Sequence, residues 1–136
     1  MKVKASCDDA TIQDVKVANL MKQYGIETIF YWPSRPEFAN EPNGRKSLTE
    51  ELMKAIASEF EIGSHTISHQ LLTRIPLEQA ITEIDDSRIE LQDKFDQPID
   101  SFCYPRGYSN PDIQEAVVDA GYSSARSTLV GYVHES

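Results

Sequence analysis

A chain of 136 residues has the size of one domain, and 40% hydrophobic against 26% charged residues is the make-up of a globular protein, not of a disordered or fibrous one. Twenty-two acidic against 13 basic residues give a net charge of -9, which repels phosphate backbones and anionic headgroups and argues against nucleic acid and membrane as partners. Two cysteines without C-x-x-C spacing, no apolar run of membrane length and no charged-then-apolar leader predict reduced thiols in a cytoplasmic protein.

Met1 to Ser6 reads as a strand running into Cys7-Asp8-Asp9. Val17, Leu20, Met21 and Tyr24 recur at helical spacing, which predicts a core-facing stripe stopped by Gly25. Glu27 to Trp32 is β-branched and aromatic and closes at Pro33, the pattern of a buried strand with Trp32 in the core. Residues 34 to 46 read as loop. Ser47 and Glu50 have capping-box spacing ahead of a helix whose apolar face is Leu52, Met53, Ile56 and Phe60. Glu61 to Gly63 is a brief strand. A longer helix starts near Pro76 with the stripe Leu77, Ile81, Ile84, Leu91 and Phe95. Ile99 to Tyr104 is the next strand, and Asn110-Pro111 opens a helix with Ile113, Val117 and Ala120 inward and Gly121 at its end. Tyr122 to Arg126 is the last strand, and residues 127 to 136 carry no clear signal, with His134 expected to be disordered. Strands alternating with helices predict one α/β domain over residues 1–136 with a parallel sheet.

Asp8 and Asp9, His65 and His69, and Pro105 to Tyr108 each follow a predicted strand, and in parallel α/β folds the strand C-termini carry the active site. Singly, each group has an ordinary explanation as a cap, a structural histidine pair or a turn. Together they suggest a site. His65 and His69, four residues apart, present two imidazoles on one side of a helical turn, and one carboxylate completes a three-ligand metal site with open positions. The same donor set serves non-haem iron oxygenases. If Asp9 binds metal, its neighbour Asp8 points elsewhere and can act as general base, which favours hydrolysis. A chain of this length buries about two thirds of its unfolded surface, so a metal would be there for function.

Three ordered motifs carry a family resemblance. Ser6-Cys7-Asp8-Asp9-Ala10 looks like T-F-D-D-G, His65-Thr66-Ile67-Ser68-His69 matches H-[ST]-x-x-H, and Phe102-Cys103-Tyr104-Pro105-Arg106-Gly107-Tyr108 looks like F-x-Y-P-x-G. With Tyr24 to Phe30 and Ala120-Gly121-Tyr122, the chain resembles the polysaccharide deacetylases of carbohydrate esterase family four, the nodulation-type deacetylase homology domain. The resemblance implies a distorted, here incomplete, (β/α) barrel and a metal-dependent hydrolase that removes N- or O-acetyl groups from a carbohydrate. It implies Asp8 as base, Asp9, His65 and His69 as ligands of a divalent metal, zinc first, and the backbone N–H of Arg106 as oxyanion donor. Tyr104, Pro105 and Tyr108 would contact the acetylated substrate.

Departures from the pattern are specific. Ala10 replaces a glycine, Cys7 replaces a Phe, and Cys103 stands where many members carry an Arg against the catalytic Asp, a charge that Arg106 is expected to restore. The family's later Trp-lined pocket and acid His have no match, since the only Trp is Trp32 and the only other His is His134. A catalytically impaired metal- or glycan-binding homologue is therefore the alternative. An iron oxygenase is disfavoured because that chemistry usually sits on an all-β barrel. About six strands leave a sheet edge, which predicts a homodimer or a C-terminal tail covering it.

Overall fold

The computed structural model describes residues 4–8, 10–38, 47–126 and 133–135. Five strands lie side by side in chain order, all parallel: β1 (Lys4–Asp8), β2 (Glu27–Trp32), β3 (Glu61–Ser64), β4 (Ser101–Cys103) and β5 (Ser124–Arg126). Between them run α1 (Gln13–Tyr24), α2 (Glu50–Ala57), α3 (Leu77–Phe95) and α4 (Pro111–Asp119). Successive parallel neighbours joined by crossovers of one hand put every helix on the same face of the sheet, which is how a (β/α) barrel begins. The expected incomplete barrel is thus the observed architecture. A sixth strand, β6 (Val133–Glu135), pairs antiparallel with β5. His134, expected to be disordered, is paired there with Ala125.

The period-two alternation of strands sorts the sheet's side chains. Phe30, Trp32, Ile62, Phe102 and Ala125 join the main core with Met53, Ile56, Ile84, Leu91, Ile113 and Val117 from the helices. Trp32 is fully buried, as expected. Ile29, Tyr31 and Cys103 form a separate small cluster. Asp8 pairs with Tyr31 and Arg126 with Cys103 in register, so Asp8 and Arg126 lie on this second, inward face.

Two helices turn differently from their sequence patterns. On α1 the buried residues are Asp14 and Ala18, whereas Leu20 and Tyr24 are exposed. Asp14 determines this rotation: its Oδ2 accepts the Trp32 indole N–H at 2.7 Å and its Oδ1 accepts the Cys7 thiol at 3.1 Å. On α3 the inward face is Ala80, Glu83, Ile84, Ser87 and Leu91, and Leu77 and Ile81 are exposed. Glu83 and Ser87 are turned in by fixed polar partners, described below for Glu83 and at Ser64 for Ser87 (2.8 Å). The N-cap of α2 is Thr49, whose hydroxyl accepts Leu52 N–H, while Ser47 donates to the Pro36 carbonyl instead. Asn110 caps α4 as predicted, accepting Ile113 N–H at 2.9 Å, with Pro111 opening the helix. Among the described residues no helix is long and apolar enough to cross a membrane.

Burial pushes the hydroxyls of Tyr31, Tyr104 and Tyr122 up to about 12. The folded protein therefore holds these protons more tightly than the unfolded chain, so their stabilisation is intact below about pH 10 and is lost as pH rises to about 12. Alkaline titration should show phenolate absorbance rising together with loss of circular dichroism. Ionisation of all tyrosines near their ordinary pKa with native dichroism retained would contradict this.

Candidate active site

The site gathers where the sheet ends after β1, β3, β4 and β5. Four of the five described non-glycine residues with positive φ follow strands here: Ala10 (56°), Thr66 (71°), His69 (59°) and Arg106 (54°). Left-handed backbone costs an L-residue roughly 1–2 kcal/mol, and its clustering at one end of a sheet is the kind of strain that makes this end the candidate site. Ala10 holds a conformation that a glycine adopts without strain, which accounts for the glycine of the resembling motif.

His65 and His69 come together with ring centroids 4.7 Å apart. They do so through a turn containing two left-handed residues, not through the helical turn their spacing suggests. That turn is tied down from three sides. His65 N–H donates to the Trp32 carbonyl at 3.0 Å, and His69 N–H donates to Thr66 Oγ1 at 2.9 Å. The third tie is Glu83, which reaches from α3 to accept Ile67 N–H at 3.1 Å and the Ser68 hydroxyl at 2.7 Å. Glu83 is 6% exposed. Its sequence signal is a carboxylate on the buried stripe of a helix.

His65 is fixed further by its Nδ1, 2.8 Å from the Cys103 carbonyl. A carbonyl only accepts, so Nδ1 carries the hydrogen and the lone pair lies on Nε2, the tautomer that binds metals with a backbone carbonyl as outer support. The donor chemistry thus fits a divalent cation. Among the described residues no group of three His, Cys, Asp or Glu side chains is placed to hold one, and the expected third ligand, Asp9, lies outside the described residues.

Asp8 closes β1 beside this pair. Cys103 touches both parts of the site, its carbonyl on His65 and its thiol 4.0 Å from Asp8 Oδ2. The cation next to Asp8 is Arg126, whose guanidinium nitrogen stands 3.6 Å from Oδ1, with both side chains half-buried. Arg126 also lies over the Tyr31 ring, 5.9 Å from its centroid. The compensating charge therefore comes from the end of β5. The side chain of Arg106 is exposed and lines a cavity with His69. Sequence reasoning assigned Arg126 no role, and its signal is a lone arginine ending a strand as Asp8 does.

Of the residues expected to touch substrate, Tyr104 is 2% exposed and packs edge-on against Phe102 at 5.3 Å, Pro105 is buried, and Tyr108 is 47% exposed. Pro105–Gly107 forms a single 3₁₀ turn held by Gly107 N–H to the Tyr104 carbonyl at 2.8 Å. Cys7 and Cys103 form no disulfide.

The chain is 28% identical over 113 residues to YxkH of Bacillus subtilis (strain 168), which carries the name of the family matched below, covering 82% of this chain and 39% of that protein. PplD, a Streptococcus pyogenes deacetylase solved with acetate, has a TM-score of 0.74 at 21% identity, covering 86% of this chain and 51% of its own. BC0361, a polysaccharide deacetylase from Bacillus cereus, has a TM-score of 0.78 at 16% identity, covering 96% of this chain and 41% of its own. Both likenesses show the fold, and the chain spans about half or less of each of these proteins. The polysaccharide deacetylase family model matches residues 7–125, from Cys7 beside the first acidic pair to the strand that carries Arg126, and the chain belongs to that family.

Proposed function

We propose that this chain is a metal-dependent hydrolase that removes N- or O-acetyl groups from a carbohydrate. The observation that supports this most directly is the convergence of His65 and His69 at the sheet end that also presents Asp8. Asp8 takes the proton of the water that attacks the acetyl carbonyl carbon. Arg126 holds the Asp8 carboxylate in place, and the Arg106 backbone N–H donates to the oxygen on which charge develops. Tyr108 contacts the sugar. His65, His69 and Asp9 would hold a divalent metal, with zinc suited to two imidazoles and a carboxylate. When bound, it supplies Lewis-acid polarisation and a more acidic water.

The test is metal analysis of the purified protein beside acetate release from a panel of acetylated glycans. His69→Ala is expected to lose metal and activity together. Metal retained with no turnover on any acetylated glycan would select the catalytically impaired homologue. Arg126→Met is expected to lower turnover roughly 10- to 100-fold by releasing Asp8 from its position, with metal content unchanged and part of the rate recovered in Arg126→Lys. A wild-type rate in Arg126→Met would remove the residue from the mechanism.

A further inference from the structure

Beside His69 opens a cavity of about 330 Å³ whose lining includes Phe38, Ser68, Arg74, Ile75 and Arg106. That volume lies at the lower end of the roughly 300–1,000 Å³ typical of small-ligand pockets. Phe38, 62% exposed at its rim, offers an aromatic face of the kind on which the apolar side of a sugar ring can rest.

The charges of this cavity are unusual for the chain. Five arginines are described, and three of them face a carboxylate: Arg35 stands 2.9 Å from Glu90, Arg88 3.8 Å from Asp100 and Arg126 3.6 Å from Asp8. Arg74 and Arg106 have no ion-pair partner among the described residues. Both line this one cavity, in a chain whose net charge of -9 offers carboxylates in excess. Two guanidiniums with no carboxylate partner among the described residues of an acidic protein, beside a candidate metal-ligating histidine, suit an anion brought by the ligand. The planar fork of each guanidinium matches a carboxylate. The negative surface disfavours a multiply charged phosphate polymer more strongly than a sugar with a single carboxylate.

We propose that this cavity recognises a carboxylate borne by the acetylated glycan, with Arg74 and Arg106 as the recognising cations and Phe38 as the stacking surface. The substrate class is then an acidic acetylated saccharide. This inference rests on the hydrolase reading of the same site.

The test is calorimetric titration of the zinc-supplemented protein with an N-acetylated disaccharide carrying one carboxylate, and with its methyl ester. The acid is expected to bind roughly tenfold tighter than the ester at low salt, with the advantage shrinking as salt is added. Arg74→Gln and Arg106→Gln each lower that ratio several-fold, and the double variant, shown to be folded by circular dichroism, brings it to about one. Arg35→Gln, which removes an arginine already paired with Glu90, leaves the ratio unchanged. Equal affinity for acid and ester, no binding of either, or a double variant that keeps the preference overturns the proposal. If acid and ester bind alike and both release acetate, the carboxylate site fails and the hydrolase stands. If the acid is preferred through the two arginines without acetate release, the carboxylate site stands and the hydrolase fails.

Discussion

Asp8→Asn is expected to leave the metal content unchanged and to slow acetate release roughly 10²- to 10⁴-fold, the contribution of a positioned general base. Asparagine has the shape of aspartate, so the neighbours at Oδ1 and Oδ2, Arg126 at 3.6 Å and Cys103 Sγ at 4.0 Å, keep their places. What changes is the negative charge, and with it the ability to take a proton. Metal retention separates this result from that of His69→Ala, since a base and a ligand differ in whether the cation stays. A wild-type rate would show the base to be misassigned, and loss of metal would make Asp8 a ligand.

The largest loss of stability is expected at Asp14. The residue is 1% exposed, and its carboxylate accepts from both the Trp32 indole and the Cys7 thiol. Asp14→Ala leaves the indole N–H buried without its acceptor, which costs about 1–3 kcal/mol, and opens a small cavity besides. A total of roughly 2–4 kcal/mol corresponds to a fall in Tm of about 4 °C per kcal/mol for a domain of this size. Trp32→Phe removes the donor. The Asp14→Ala/Trp32→Phe double variant is therefore expected to lose less than the sum of the two, a coupling measured by denaturant unfolding. Strict additivity would mean that the bond contributes nothing.

How legible each part was depends on how local its cause is. Glu27 to Trp32 announced itself because β-branched and aromatic residues are bracketed by Gly25 and Pro33, and the strand has those bounds. Asn110-Pro111 likewise contains its own capping chemistry. The histidine pair was legible as a pair, but the turn that joins the rings was not, because positive φ at Thr66 and His69 is enforced by contacts from α3 and β2. Helical periodicity mislocated the inner face of α1 because it weights Leu20 and Tyr24 for hydrophobicity, whereas the indole of Trp32 selects Asp14. Arg126 and Asp8 stand at opposite ends of the sequence and four strands apart in the sheet, and they meet because the sheet curls to bring β1 and β5 together, which no local pattern encodes.

Gly63 sets a clearance for the whole inner face. It lies in register with Tyr31, and a Cβ there would meet two carbons of the Tyr31 ring at 2.6 Å and the Ser101 carbonyl at 3.0 Å. The ring occupies the space that any other residue's side chain would take. Above that ring lies the guanidinium that steadies Asp8. One hydrogen atom on β3 thus acts as a gauge for the depth of Tyr31, and through it for the height at which Arg126 meets the carboxylate. Even a single added methyl group there would be felt at Asp8, two strands away, without touching it.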